Sequence, residues 1–423
     1  MTHQHIQDLL SYLDSSPTAW HAVAQAKSIL EKNGFTQLHE QDAWSLAPGS
    51  RYYVVRNGSS LCAFILPKAK IDQVHLVLSH TDSPGFKLKP NAEYKKDNMI
   101  MLGVEIYGSP LITSWLNRDL GIAGRVYFLD SKGDVTEKLV TLQEAVTIPQ
   151  LALHLDRQVN DEGLVLNKQD HLAALAGVSS SEKSFLEESF KRSFKYKEIL
   201  SSDLFLYPLE KASLIGLKKE LIASYRIDNL CSVYASLLAI NSSKPAKNAI
   251  RVIAAMDNEE IGSATPQGID SPFFSHLLER ILMSTKLSRE DYLRLAHNSI
   301  CISVDMAHAT HPNYPDRHEP RHPITMGNGV VIKYNAQNRY ASNAHSASHI
   351  IALLKSKGLK YQQFVTRGNI PCGTTVGPLH AHNTGMPTVD IGIPQLSMHS
   401  CREVAACKDM LDLITLLEAV LSS

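Results

Sequence analysis

The chain has no CxxC pair, no long apolar run and no block of like charge. Its six cysteines, Cys62, Cys231, Cys301, Cys372, Cys401 and Cys407, are too scattered for a thiolate zinc site or a disulfide framework. They read as buried thiols of a reducing compartment. No stretch approaches the roughly 18 apolar residues of a membrane span, and the opening MTHQHIQDLLSYLDSS lacks a basic region followed by an apolar one. A cytoplasmic location is the resulting expectation. Lys plus Arg (42) balance Asp plus Glu (42). This evenness argues against a nucleic-acid footprint or a polybasic membrane contact. No repeat period and no low-complexity tract stands out.

What is present is apolar sequence in short runs. A length of 423 residues favours two domains over one. Two helices are expected first, the second starting at Ser16-Pro17 and ending at Asn33-Gly34. LCAFILP (61 to 67), VHLVLSH (74 to 80), AIRVIAAM (249 to 256), SICISVDM (299 to 306) and TVDIGI (388 to 393) have the character of strands inside a mixed or parallel sheet. Helical patterns lie between them, clearest where Leu230, Val233, Leu237 and Leu238 follow one face after Asp228. The fold class is α/β. From about 90 to 225 the character changes to strands such as VEIYG and GRVYFLD, then the charged, helix-prone SEKSFLEESFKRSFKYKE, which reads as an inserted second domain.

Chemistry gathers where the runs end. His80 and Asp82 close a strand in SHTDSP, and ligands of open α/β sheets bind beyond the carboxyl ends of strands. Alone, the pair reads equally as a hydrogen-bonded strand terminus. Asp257, Glu259 and Glu260 crowd together in MDNEEIGS. Adjacent carboxylates resist burial unless protonated or compensated by cations, the bland alternative being a solvated acidic turn. Asp305 follows SICISV, where an aspartate needs a reason. Asp228 in YRIDNL has the position of an N-cap, and His399 in LSMHSCRE that of a surface histidine.

Taken together, Asp228, Glu260 and Asp305 with neutral His80 and His399 offer a charge of minus three. Two divalent cations bring plus four, and the excess suits the ionised water that a metal-activated hydrolase uses at neutral pH. Nitrogen and oxygen ligands without thiolate suit zinc, with manganese or cobalt as substitutes.

With these residues in view, the sequence resembles the aspartyl aminopeptidases, dizinc metallopeptidases, over nearly its whole length. The resemblance is carried by SHTDSPGFKLKP, IPQLALHLDR, IDNLCSVYASLLA, DNEEIGS, SVDMAHATHPNYPDRHEPRHPITMGNGVVIKYN, RYASNA, PCGTTVGP and TVDIGIPQLSMHSCRE. It implies two Zn2+ per subunit, with Asp228 bridging them, His80 and Asp305 completing one and Glu260 and His399 the other. Glu259 is similar to the family's general base, and Asp82 to the residue that holds His80 in its metal-binding tautomer. The implied architecture is a mixed-sheet metallopeptidase catalytic domain (1 to 88 and 226 to 423) with helices on both faces, interrupted by a smaller β-rich dimerisation domain (89 to 225). Dimers would assemble into a homododecamer.

The implied substrates are peptides with a free N-terminus, preferably Asp or Glu. Lys333 is expected at the side-chain pocket with His308 and Tyr340, and His154 corresponds to a histidine that reaches a neighbouring subunit's site. The family run is broken mildly at Thr265-Pro266. A broad aminopeptidase or another amidohydrolase of the same two-metal architecture is the alternative.

Overall fold

A computed structural model describes residues 2–178 and 183–422. The chain forms two compact units, Met1–Asp82 with Ala212–Met398 and Glu403–Ser423, and Ser83–Lys211 with His399–Arg402.

The first unit is built on a nine-stranded mixed sheet. Its order is Thr36–Leu38, Arg51–Arg56, Ser60–Ile65, Ala249–Met256, Gln73–His80, Ile300–Val304, Thr388–Gly392, Val330–Tyr334 and Tyr361–Val365. The expected apolar runs are strands at these positions. Four central neighbours, Ala249–Met256, Gln73–His80, Ile300–Val304 and Thr388–Gly392, are parallel, with Met256 beside His80 and Val304 beside Ile391. Their carboxyl ends therefore share one edge.

Alternation along the strands explains why this sheet is buried on both faces. Leu61, Ala63 and Ile65 enter one core while Cys62, Phe64 and Leu66 enter the other. Helices Thr2–Asp14, Ala19–Lys32, Ile227–Ser242 and Cys407–Ser422 contribute to the first core. Phe273–Ser284 and Arg289–His297 contribute to the second. Each buried Leu, Ile or Phe contributes roughly 1.5–3 kcal/mol relative to exposure, so the sheet is anchored from both sides.

Three local expectations change. The second helix starts at Ala19, capped by Thr18, whose hydroxyl accepts the His21 N–H, whereas the Ser16 carbonyl is taken by the Arg226 guanidinium. The helix after Asp228 is buried almost all round rather than on one face. Wedged between other helices and the sheet, it has no solvent side to mark. Of the six cysteines, all free, Cys372 and Cys407 are only half-buried.

A smaller five-stranded sheet in the same unit orders Ser213–Ile215, Leu221–Ser224, Glu403–Ala406, Pro394–Leu396 and Ala307–His308. Because Leu221–Ser224 pairs with Glu403–Ala406, the segment leading to Asp228 belongs to this unit.

The second unit holds a six-stranded sheet, Val135–Thr141, Leu120–Leu129, Glu198–Pro208, Gly85–Lys96, Met99–Tyr107 and Ala174–Val178, with every pairing antiparallel. Its core includes Trp115, fully buried and edge-on to Phe86. A Cβ on Gly124 would fall 1.9 Å from the Asp203 carbonyl, so only glycine lets these two strands pair. The charged stretch contains a helix, Phe185–Ser193, whose first amides are capped by Ser184 and by the Glu93 carboxylate. Its first two residues, 181 and 182, lie outside the described residues.

Candidate metal centre

The shared carboxyl edge of the parallel strands carries the acids and His80. His80 is the last residue of its strand, Asp305 follows Val304, and Glu259 and Glu260 open a short 3-10 turn that starts three residues beyond Met256. Asp228 lies in the first turn of helix Ile227–Ser242, where it and Asn229 depart from helical dihedrals. It is thus not a simple N-cap. The preceding Arg226, left-handed at φ 65°, occupies the cap position instead.

His80 is buried, and its Nε2 lies 3.3 Å from Asp228 Oδ1 and 3.4 Å from Asp305 Oδ1. On its other side Nδ1 lies 3.1 Å from the Asp82 carbonyl oxygen and 3.4 Å from its carboxylate. Asp82 also accepts the backbone N–H groups of Glu259 and Glu260, both at 3.1 Å. One carboxylate therefore steers a histidine ring and the adjacent-acid turn together.

That turn is held from beneath as well. Asn258, left-handed at φ 66°, accepts the Thr265 hydroxyl and the Gln267 amide at its side-chain oxygen, both at 2.8 Å. Thr265 thus fixes the turn despite its departure from the family run.

Ligand-capable atoms of His80, Asp228 and Asp305 lie within 4.8 Å of one another, as do those of His80, Glu259 and Glu260. His399 is peptide-bonded to Met398 and is oriented through Nδ1, 3.0 Å from the Ser109 carbonyl. His80 is common to both groups.

Electrostatics argues for cations here. Burial, with the neighbouring charges of Asp305, Asp82 and Asp228 outweighing His80, pushes Glu259 up to about 8. Burial and the charges of Asp228 and Glu259 drive Glu260 well above the carboxylate range. Burial opposes charge on His80, yet its contacts with Asp228, Asp305 and Asp82 lift it well above the ordinary imidazole value. The acids accept protons because protein cations are too few, and divalent metal would replace those protons. The donor set, imidazole and carboxylate, fits the expected zinc pair.

The remaining predicted residues fall in two places. Lys333 is buried. Its Nζ donates to the Met306 carbonyl at 3.0 Å and lies 3.6 Å from Asp305 Oδ2. Tyr340 lies with its ring 5.2 Å from that Nζ. Phe364 stands between Tyr340 and the exposed His308, with ring centroids 6.2 Å from each. His154 is exposed on the 3-10 turn Leu153–Leu155 of the second unit.

Two participants carried no mark in the sequence. Glu403, buried at the start of its strand, accepts the Asp228 N–H at 3.0 Å. Arg226, also buried, donates to the Thr81 carbonyl and adds positive charge near Asp82 and Asp257. Only its closeness to Asp228 in YRIDNL hinted at a role.

Known proteins are similar to this chain over nearly its whole length. Residues 12–420 match the family described as aminopeptidase I zinc metalloprotease (M18). A probable M18 family aminopeptidase 2 of Streptomyces coelicolor is 39% identical over 417 residues, covering 96% of this chain and 94% of its own. The corresponding protein of Pseudomonas aeruginosa PAO1 is 39% identical over 427 residues, covering 99% and 98%. Among solved structures, the cryo-EM structure of the Ape4 and Nbr1 complex superposes with a TM-score of 0.94 at 32% identity, over 99% of this chain and 85% of that one. The S. cerevesiae mApe1 dodecamer does so with 0.85 at 26%, over 98% and 95%.

Proposed function

Starting from the fact that this chain belongs to the M18 family of zinc metallo-aminopeptidases, we propose that it releases the N-terminal residue of peptides at the edge carrying His80, Asp228 and Asp305. The observation carrying this reading is that two ligand groups of the first unit, His80–Asp228–Asp305 and His80–Glu259–Glu260, meet at one buried histidine. By the family resemblance, His80, Asp228 and Asp305 would hold one metal, and Asp228, Glu260 and His399 the other. Two divalent cations held there would lower the pKa of a water and polarise the peptide carbonyl.

The protein's own groups do the rest. Glu259, within reach of the same cluster, takes a proton and returns it to the leaving amine. Its proton affinity, raised by burial, suits a base that must also act as an acid. Asp82 keeps the His80 ring in place. Zinc is the first choice, manganese or cobalt following from the same ligand set.

The best-supported specificity is that of an aminopeptidase without an assigned side-chain preference. A narrower reading, preference for N-terminal Asp or Glu, rests on Lys333 and Tyr340 near Asp305, with His308 beyond Phe364. The second unit is assigned to oligomerisation. Exposed Leu151, Leu153 and Leu155 surround His154, apolar surface that a neighbouring copy would cover, and the mApe1 relative is a dodecamer. Among the described residues no helix is long and apolar enough to cross a membrane. The six free cysteines support a reducing compartment, the cytoplasm.

Metal analysis of the purified protein combined with a panel of Asp-, Glu-, Ala- and Leu-initiated peptides tests this reading. Two metals per subunit and residue-by-residue release from the N-terminus are expected. Loss of all activity with metal in place, or a clear Leu preference, would overturn the peptidase reading and the acidic reading respectively.

A further inference from the structure

The edge of the nine-stranded sheet opposite the acids holds a cavity of about 480 Å³. Its floor is the beginning of two central strands, Gln73–His80 and Ile300–Val304, so it opens where those strands start and the metal centre lies where they end. His80 lies five residue steps along the strand from His75 in the cavity, or about 17 Å at the usual rise. The two places share no lining residue.

Four histidines meet this cavity: His75, His297, His345 and His349. Among the described residues no carboxylate, lysine or arginine lines it. His75 is buried, and burial depresses it below the ordinary imidazole value, so it adds no charge at neutral pH. His297, at the end of its helix, is exposed at the rim.

His345 and His349 stand one helical turn apart on Ala344–Ser356, whose Ser346, Ala347, Ile350 and Leu354 bind it to the core. That anchoring fixes the backbone from which both imidazoles project. Residues four apart share a helix face, and here the two rings are 5.0 Å apart and nearly perpendicular, at 86°. A late transition metal bonds imidazole nitrogen at about 2.0–2.1 Å, so two rings at this spacing need only rotamer adjustment to share one ion. Neutral nitrogen donors favour zinc, copper or nickel; calcium and magnesium require oxygen.

We propose that His345 and His349 form a second, non-catalytic transition-metal site at the mouth of this cavity, completed by water and distinct from the dimetal centre. Each ion is held by two protein nitrogens, so it exchanges more readily than metal held in the buried centre. The site places no demand on peptidase chemistry, since neither histidine touches the acids.

The test uses protein whose catalytic centre has been filled with Zn2+ and freed of excess metal. Cu2+ is added to one equivalent per subunit and electron paramagnetic resonance is recorded for wild type, His345→Ala and His349→Ala. The expected result is a Cu2+ signal with nitrogen coupling in wild type that is lost in each variant, while peptide hydrolysis by the variants before copper addition is unchanged. Both side chains are exposed, so the variants are expected to fold, which circular dichroism checks. Absence of the signal in wild type overturns the proposal. So does a signal that survives either substitution, because the copper would then sit elsewhere.

Discussion

Asp82 accepts the backbone N–H of Glu260 at 3.1 Å, and through its other oxygen that of Glu259, while lying against the His80 ring. A residue outside the ligand groups thus connects histidine and acids before any metal arrives. Asp82→Asn replaces one acceptor oxygen by a donor, which opposes at least one of these amides. Metal affinity is expected to fall by about 10–100-fold, the usual effect of losing a group that orients a ligand. Competition with a chromophoric chelator measures it, and unchanged affinity would remove Asp82 from the site.

Glu259 is adjacent to Glu260 but has the role of base in the proposed reaction. Glu259→Gln keeps size and loses the ability to take a proton. Metal content should stay at the wild-type value while turnover falls by at least about 100-fold. If turnover and metal fall together, Glu259 is a ligand rather than the base.

Protonation of the acids gives the metal-free protein a pH dependence that metal should erase. Glu259 is raised from 4.5 to about 8 and Asp257, by burial and the nearby Asp82 charge, from 3.8 to about 7. A raised folded-state value means that the folded protein holds protons the unfolded chain has released. The resulting stability is complete below about pH 4 and is lost as pH rises through 7 and 8. His80, raised above 6.5, acts in the same direction. Chelator-stripped protein should therefore melt at progressively lower temperature from pH 5 to 9, while metal-loaded protein shows a flatter profile. A stripped protein that gains stability over that range would contradict the arrangement of charges.

Much of this site was legible in the sequence because strands buried on both faces read as apolar runs, and the acids stood where those runs stopped. His80, Asp305 and the Glu259-Glu260 pair fell into place on that basis. Asp228 did not, since a carboxylate at a helix start has the same local appearance whether it caps or ligates. Glu403 was silent because its contact with the Asp228 amide joins residues 175 positions apart. The near-complete burial of helix Ile227–Ser242 was hidden for a related reason: small residues such as Ala235, Ser236 and Ala239 look polar-face-compatible yet pack inside. For Lys333, expected at the side-chain pocket, only the fold reveals Asp305 and the Met306 carbonyl beside its ammonium.

Gly392 supplies a check on the sheet edge itself. A Cβ there would sit 1.8 Å from the Asp305 carbonyl oxygen, a clash with backbone that no rotamer relieves. Gly392→Ala should push the Asp305 segment outward, costing about 1–3 kcal/mol as overpacking usually does. Differential scanning calorimetry should show a lower Tm together with faster metal loss to chelator. A wild-type Tm with wild-type metal retention would mean that the edge is looser than the packing indicates.

Lys333 separates the broad from the narrow specificity. Burial disfavours charge on Asp305, but Lys333 and His80 hold its carboxyl well below the usual range. The lysine therefore has two possible tasks, stabilising Asp305 as a charged ligand and attracting an acidic side chain. Lys333→Ala distinguishes them through substrate identity. If the ammonium recognises the substrate, KM for an Asp-initiated peptide rises more than KM for an Ala-initiated one while metal content holds. If it serves Asp305 alone, the two substrates change together and metal affinity changes with them, since a ligand that no longer has a neighbouring cation binds protons and metal more strongly. The ratio of the two KM values is thus the deciding quantity, and an unchanged ratio leaves the broad aminopeptidase reading as the one consistent with the buried position of this side chain.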